Sequence, residues 1–135
     1  MIAVDTSVAV AAALPWHGSH QASRAALPER RAPLLAQVAV ETYSVLTRLP
    51  PPQRVPALVA LDYLKATFAF PPLALSPDGF RELLEVVAAQ GIVGGAVYDA
   101  LVAASARQVG ATLVTLDQRA LATYRLLGAD YRLLT

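Results

Sequence analysis

The sequence predicts an α/β domain with a mainly parallel central sheet flanked by helices. Short apolar runs of strand length alternate with longer stretches at helical spacing. Two of those runs, residues 1–4 and 112–116, each lead into a lone aspartate, Asp5 and Asp117. The chain has 135 residues, 56% of them apolar, which is enough for one sizeable core, so a single domain over residues 1–135 is expected.

Residues 1–5 read as the first strand. Thr6 or Ser7 can cap a helix over 8–14, which Pro15 helps to stop. A second helix is expected over 19–27, and 28–31 as an exposed connection. The segment 38–49 has apolar or small residues at 38, 42, 45, 46 and 49, the spacing of a helix face, and Pro50-Pro51-Pro52 ends it. Pro56 suits the first turn of a helix running to about residue 64. A strand is expected within 67–75, near a sheet edge because of Pro71-Pro72. Pro77-Asp78 opens a helix with Glu82 and Glu85 on its solvated side and Gly91 beyond its end. Gly94-Gly95 precedes a helix over 96–109, which Gly110 closes. The strand leading to Asp117 follows, then a short helical stretch and a last strand over 131–134.

Composition narrows the function classes. Cysteine is absent, which excludes disulfides and thiolate metal sites. No run approaches the roughly 18 consecutive apolar residues of a membrane span, and the N-terminus lacks a signal-peptide pattern, so the cytoplasm is the default location. The positive mean hydropathy suggests apolar surface covered by a partner or a second copy. The net charge is only +1, but if four acids share one site, six remain against eleven basic residues. A metal-filled acidic pocket rimmed by arginines suits a polyanion.

Asp5, Glu41, Asp99 and Asp117 each interrupt or end an apolar stretch. Acids are seldom fully buried unless paired or metal-bound. Ligand sites in open α/β sheets lie outside the carboxyl ends of the strands, where Asp5 and Asp117 are expected. Two carboxylates ~4 Å apart repel by about 1 kcal/mol in water and roughly 4 kcal/mol at an effective dielectric of 20. A cluster therefore calls for a cation, and oxygen ligands alone favour Mg²⁺ or Mn²⁺. Singly, each acid also has an ordinary reading. Asp5 can start a helix, Glu41 can snorkel to solvent, Asp99 can complement a helix dipole, and Asp117 can lead a strand into a turn.

Four segments carry a resemblance. Asp5-Thr-Ser, Glu41 within Val-Glu-Thr-Tyr-Ser-Val-Leu, Tyr98-Asp99-Ala-Leu-Val-Ala-Ala-Ser-Ala, and Gly110-Ala-Thr-Leu-Val-Thr-Leu-Asp117 together resemble a PIN domain. More narrowly, the chain resembles the VapC toxins of toxin–antitoxin pairs, in motif order and in length. The resemblance implies that Asp5, Glu41, Asp99 and Asp117 form an acidic quartet binding Mg²⁺ or Mn²⁺, with Thr6 and Thr115 as supporting hydroxyls. It implies a metal-dependent endoribonuclease, a VapB-type antitoxin that blocks the acidic site, and a homodimer. Gln118-Arg119-Ala120 stands where many relatives carry an acid and then an aromatic. Asn in place of Asp5 or Asp99 is expected to abolish cleavage with the fold intact.

The remaining polar and aromatic residues carry weaker signals. His17 and His20 read as surface histidines. Arg24, Arg30, Arg31, Arg48 and Arg54 read as ordinary solvated charge, while Arg119 is the arginine expected nearest a bound phosphate. Leu14 and Trp16 are the candidate antitoxin contacts. Three rival functions remain. A phosphoacceptor receiver domain lacks its late-strand lysine, since Lys65 is the only lysine. A non-cleaving binding module does not need all four acids. A PIN nuclease of RNA processing or decay is the third.

Overall fold

The computed structural model describes residues 1–135. Five strands and seven helices alternate: β1 (Ile2–Val4), α1 (Thr6–Ala13), α2 (His20–Ala26), β2 (Ala32–Leu35), α3 (Ala36–Thr47), α4 (Ala57–Thr67), β3 (Phe68–Leu73), α5 (Pro77–Gln90), α6 (Ala96–Gln108), β4 (Thr112–Thr115), α7 (Leu121–Leu126) and β5 (Tyr131–Leu133). A single 3₁₀ turn, Gln118–Ala120, joins β4 to α7. No helix is long and apolar enough to cross a membrane.

Every hydrogen-bonded strand pair is parallel. β1 pairs with β4 and β4 with β5, while β2 pairs with β3. β2 runs alongside β1 without a backbone ladder, so the spatial order is β3-β2-β1-β4-β5. The chain leaves β1 towards β2 and later returns on the other side at β4. The order thus reverses between β1 and β4, and a crevice opens at their carboxyl ends. The core lies on both faces of this sheet, since consecutive strand residues, Ala3 and Val4 in β1 and Leu113 and Val114 in β4, are all buried, packed with helix residues such as Val8, Val38, Ala103 and Ala106.

Local chemistry explains the element ends. Ser76 caps α5 by accepting from the Gly79 N–H at 3.0 Å, with Pro77 in its first turn. Gly91 ends α5 in the left-handed region, at φ 67°. Gly110, at φ 70°, turns the chain from α6 into β4. Along α1, Val8, Ala9, Ala11 and Ala12 are buried, and their small side chains let α1 sit close against α2 and α3.

Four expectations change. β2 was not foreseen: its four residues, Ala-Pro-Leu-Leu, show no alternation and run into α3 without a capping side chain. The third helix begins earlier and ends earlier than 38–49, at Ala36 and Thr47. The helix after Pro56 runs three residues further than expected, to Thr67. Leu14 cannot be an antitoxin contact. It is only 4% exposed, because α1 stops at Ala13 and the next side chain folds beneath Leu46 and Ala60. Trp16, two residues on, is exposed. β3 does lie at an edge, and its Pro71 is exposed.

Candidate acidic active site

The strand register builds the site. Val4 pairs with Val114, and the Asp5 N–H donates to the Val114 carbonyl at 3.1 Å, so Asp5 lies beside Thr115. Asp5 also becomes the N-cap of α1, its carboxylate accepting from the Val8 N–H at 3.3 Å. Ser7 Oγ donates to the same oxygen, Oδ1. The other oxygen, Oδ2, accepts from Thr115 Oγ1 and from Tyr124 Oη, the latter at 2.8 Å. Two donors on each oxygen fill the usual acceptor capacity of a carboxylate. Such bonds to a charged group contribute about 1.5–3 kcal/mol each, which offsets the burial of Asp5, only 4% exposed.

Ser7 and Thr115 serve both strand ends. Ser7 Oγ accepts from the Leu116 N–H at 2.9 Å, and Thr115 Oγ1 accepts from the Asp117 N–H at 2.9 Å. Each hydroxyl thus donates to Asp5 and accepts from the backbone that presents Asp117. Asp117 Oδ1 accepts from the Arg119 N–H at 3.0 Å, which opens the 3₁₀ turn. On α3, Glu41 accepts from Thr6 Oγ1 at 2.8 Å and from Gln37 Nε2, one helical turn earlier. Asp99 projects from the first turn of α6, a helix packed against α3, α7 and β4.

Asp5, Thr6, Ser7, Glu41, Asp99, Val102, Asp117 and Tyr124 line one cavity of about 120 Å³. All four predicted acids and Thr6 face this space, while Thr115 stands behind Asp5. Asp99 is the uncommitted member. It is half-buried and receives no compensating hydrogen bond, and its pKa is pushed up from 3.8 to about 6. Desolvation is the largest cause, followed by the charges of Asp117, Asp5 and Glu41, with Arg119 opposing them. Arg119 stands at the rim, its side chain 95% exposed and its Nε 3.8 Å from Asp117 Oδ1, a pairing that solvent weakens.

The donor set suits a hard divalent cation, with carboxylate and hydroxyl oxygens and no histidine or thiolate. Excess negative charge is the physical signature of such a site, and Asp99 reports it. No three acidic or imidazole groups already converge as a finished ligand set. Asp99, Asp117 and Glu41 keep acceptor capacity for a cation, whereas each oxygen of Asp5 already accepts two hydrogen bonds.

The raised Asp99 pKa makes stability depend on pH. This residue's stabilising contribution is complete below its unfolded value near 3.8 and is lost as pH rises through about 6. The Tm of the metal-free protein should therefore carry a downward component between pH 4 and 6.5. Calorimetry on the wild type and the Asp99→Asn variant isolates it, since the variant lacks the titrating group. Identical profiles for the two proteins would refute the strained carboxylate.

Three contributors were missed. Ser7 was legible, being two residues from Asp5 in Asp-Thr-Ser, and Gln37 stands one helical turn before Glu41. Tyr124 carried no signal. It is 119 residues from Asp5 in sequence, and only the packing of α7 against α6 brings it in. Burial and the adjacent Asp5 carboxylate push its hydroxyl pKa far up, so it remains a donor.

The family model for the PIN domain matches residues 2–126. Ribonuclease VapC40 of Mycobacterium tuberculosis, in strains CDC 1551 / Oshkosh and H37Rv, is 46% identical over 135 residues, covering all of both chains. Ribonuclease VapC27 of Mycobacterium tuberculosis H37Rv is 45% identical over 127 residues, 94% of this chain and 92% of that protein. Such a match runs through all four acid-bearing segments rather than one of them, and it places the chain in the PIN-domain family, within its VapC group.

Proposed function

We propose that this protein is a divalent-cation-dependent endoribonuclease and the toxin of a VapBC-type pair. One observation carries the reading: four carboxylates line a single cavity at the β1/β4 crevice, where burial and then the charges of the other three raise the pKa of Asp99. The names of the related ribonucleases support RNA as the substrate.

In this reading Asp99, Asp117 and Glu41 are the acids with acceptor capacity for Mg²⁺ or Mn²⁺, and Asp5 completes the negative field. The cation, when bound, would supply Lewis-acid polarisation of a phosphodiester and would activate an attacking water. The protein's own part is positional. Ser7, the Val8 N–H, Thr115 and Tyr124 fix Asp5, and Thr6 and Gln37 hold Glu41, so the acids meet the substrate without reorganising. Arg119, exposed at the rim, offers positive charge to an approaching phosphate. A homodimer and a cytoplasmic VapB-type antitoxin covering the acidic cavity belong to the same proposal, with Trp16 the remaining candidate for antitoxin contact.

The test is cleavage of end-labelled RNA by the purified protein. Cuts should appear with Mg²⁺ or Mn²⁺ and vanish with EDTA. The Tm should rise with added cation, by an amount equivalent to ~2.7 kcal/mol at a hundredfold its Kd. Metal-independent cleavage would overturn the assignment of the acids. A gene without a neighbouring reading frame for a small protein, or undiminished toxicity on co-expression with such a protein, would remove the antitoxin from the proposal.

A further inference from the structure

The acidic cavity can hold a phosphate group, but its roughly 120 Å³ leaves no room for a nucleoside. A substrate strand must therefore place its sugars and bases outside it. Thr6 and Ser7, which form one wall of that cavity, also line a second and larger groove of about 600 Å³. Resting on the ribonuclease reading, we propose that this second groove seats the nucleoside flanking the scissile phosphate of a single-stranded RNA.

The lining chemistry differs from that of the acidic cavity. Val10, Val45, Leu116 and Leu134 supply apolar walls, and no aspartate or glutamate side chain takes part. A base has apolar faces and a polar edge, so such walls need one directed polar group to read it. His17 supplies that group. Its Nδ1 accepts from the Ser19 N–H at 3.0 Å, which in the neutral ring puts the proton on Nε2 and leaves a donor of fixed direction. Ser19 itself adds a hydroxyl to the lining. Beside His17 lies Trp16, 58% exposed, with ring centroids 6.2 Å apart and planes tilted by 33°, which extends a stacking surface past the groove. The groove's volume also falls within the range of sites that enclose small ligands.

Two variants and two readouts test this. His17→Ala removes the directed donor, and Val45→Phe fills the groove from α3 at a position outside both core clusters. Affinity for a fluorescein-labelled 2′-O-methyl single strand is read by anisotropy in Mg²⁺. Base preference at each side of the cut is read by sequencing ends from a randomised RNA. Both variants should weaken binding about tenfold, and His17→Ala should flatten the preference at one position beside the cut. The Mn²⁺-induced rise in Tm should persist in both, showing that the fold and the acidic cavity survive. Cleavage with wild-type affinity and wild-type preference in both variants would overturn the groove and leave the ribonuclease standing. Weakened strand binding by the variants, with no cleavage by the wild type, would overturn the ribonuclease and the placement beside a scissile phosphate, leaving the groove as a strand-binding site alone. If RNA affinity holds while affinity for the antitoxin falls, the groove belongs to the protein partner and the proposal is lost.

Discussion

Replacing Asp99 by Asn should remove RNA cleavage and raise the Tm of the metal-free protein in one step. The two effects share a cause. At pH 7.5 the folded chain holds Asp99 ionised against desolvation and against Asp117, Asp5 and Glu41, with its pKa lifted to about 6 from 3.8. Asparagine keeps the shape and removes the charge. A shift of this size corresponds nominally to ~3 kcal/mol, but Asp99 is only half-buried, and solvent screening brings the gain to about 1 kcal/mol. For a chain of this length that is a rise of roughly 3–4 °C. Cleavage should fall more than about a hundredfold, beyond the cost usual for a group that merely supports a ligand. Cation-induced stabilisation should shrink with it. A variant that loses activity and stability together would show Asp99 to be a structural acid instead of a strained one.

The parts of this molecule that were readable from sequence are those in which neighbouring residues determine the outcome. β1 and β4 stand out as apolar runs closed by aspartates, and their parallel pairing places Asp5 and Asp117 at the same, carboxyl end of the sheet. α5 announces its start with Pro77-Asp78 and its end with Gly91. β2 was hidden because Ala32-Pro33-Leu34-Leu35 is short and has no polar face to alternate with. Leu14 was misplaced for a different reason. A leucine after a helix end can face either solvent or core, and only the position of α3 and α4 decides it. At the site, residues close in sequence to an acid were recoverable, as Ser7 and Gln37 show. Tyr124 was not, since its role depends on where α7 is carried by the rest of the chain.

Asp5→Asn should also abolish cleavage, yet its effect on stability should be opposite to that of Asp99→Asn. From sequence alone the two substitutions share one expectation, and the hydrogen bonds separate them. Asp5 accepts from the Val8 N–H, Ser7, Thr115 and Tyr124. Asparagine offers one acceptor oxygen and a two-proton donor in its place. The Val8 N–H cannot turn round, so the oxygen must stay on that side and the amide must face Thr115 and Tyr124. Thr115 Oγ1 already accepts from the Asp117 N–H and can accept the amide as well only by turning its own proton away. Tyr124, only 1% exposed, can accept the amide only by turning its own proton into a buried space without a partner. An unpaired buried donor costs about 1–3 kcal/mol, so the Tm should fall by roughly 4–10 °C. Tyr124→Phe checks the cause. In the wild-type background it removes a donor from Asp5 and should destabilise. Combined with Asp5→Asn it removes the stranded hydroxyl and should restore part of the loss. Equal effects of Tyr124→Phe in both backgrounds would mean that the Asp5–Tyr124 bond contributes nothing, and the saturated clamp around Asp5 would have to be abandoned.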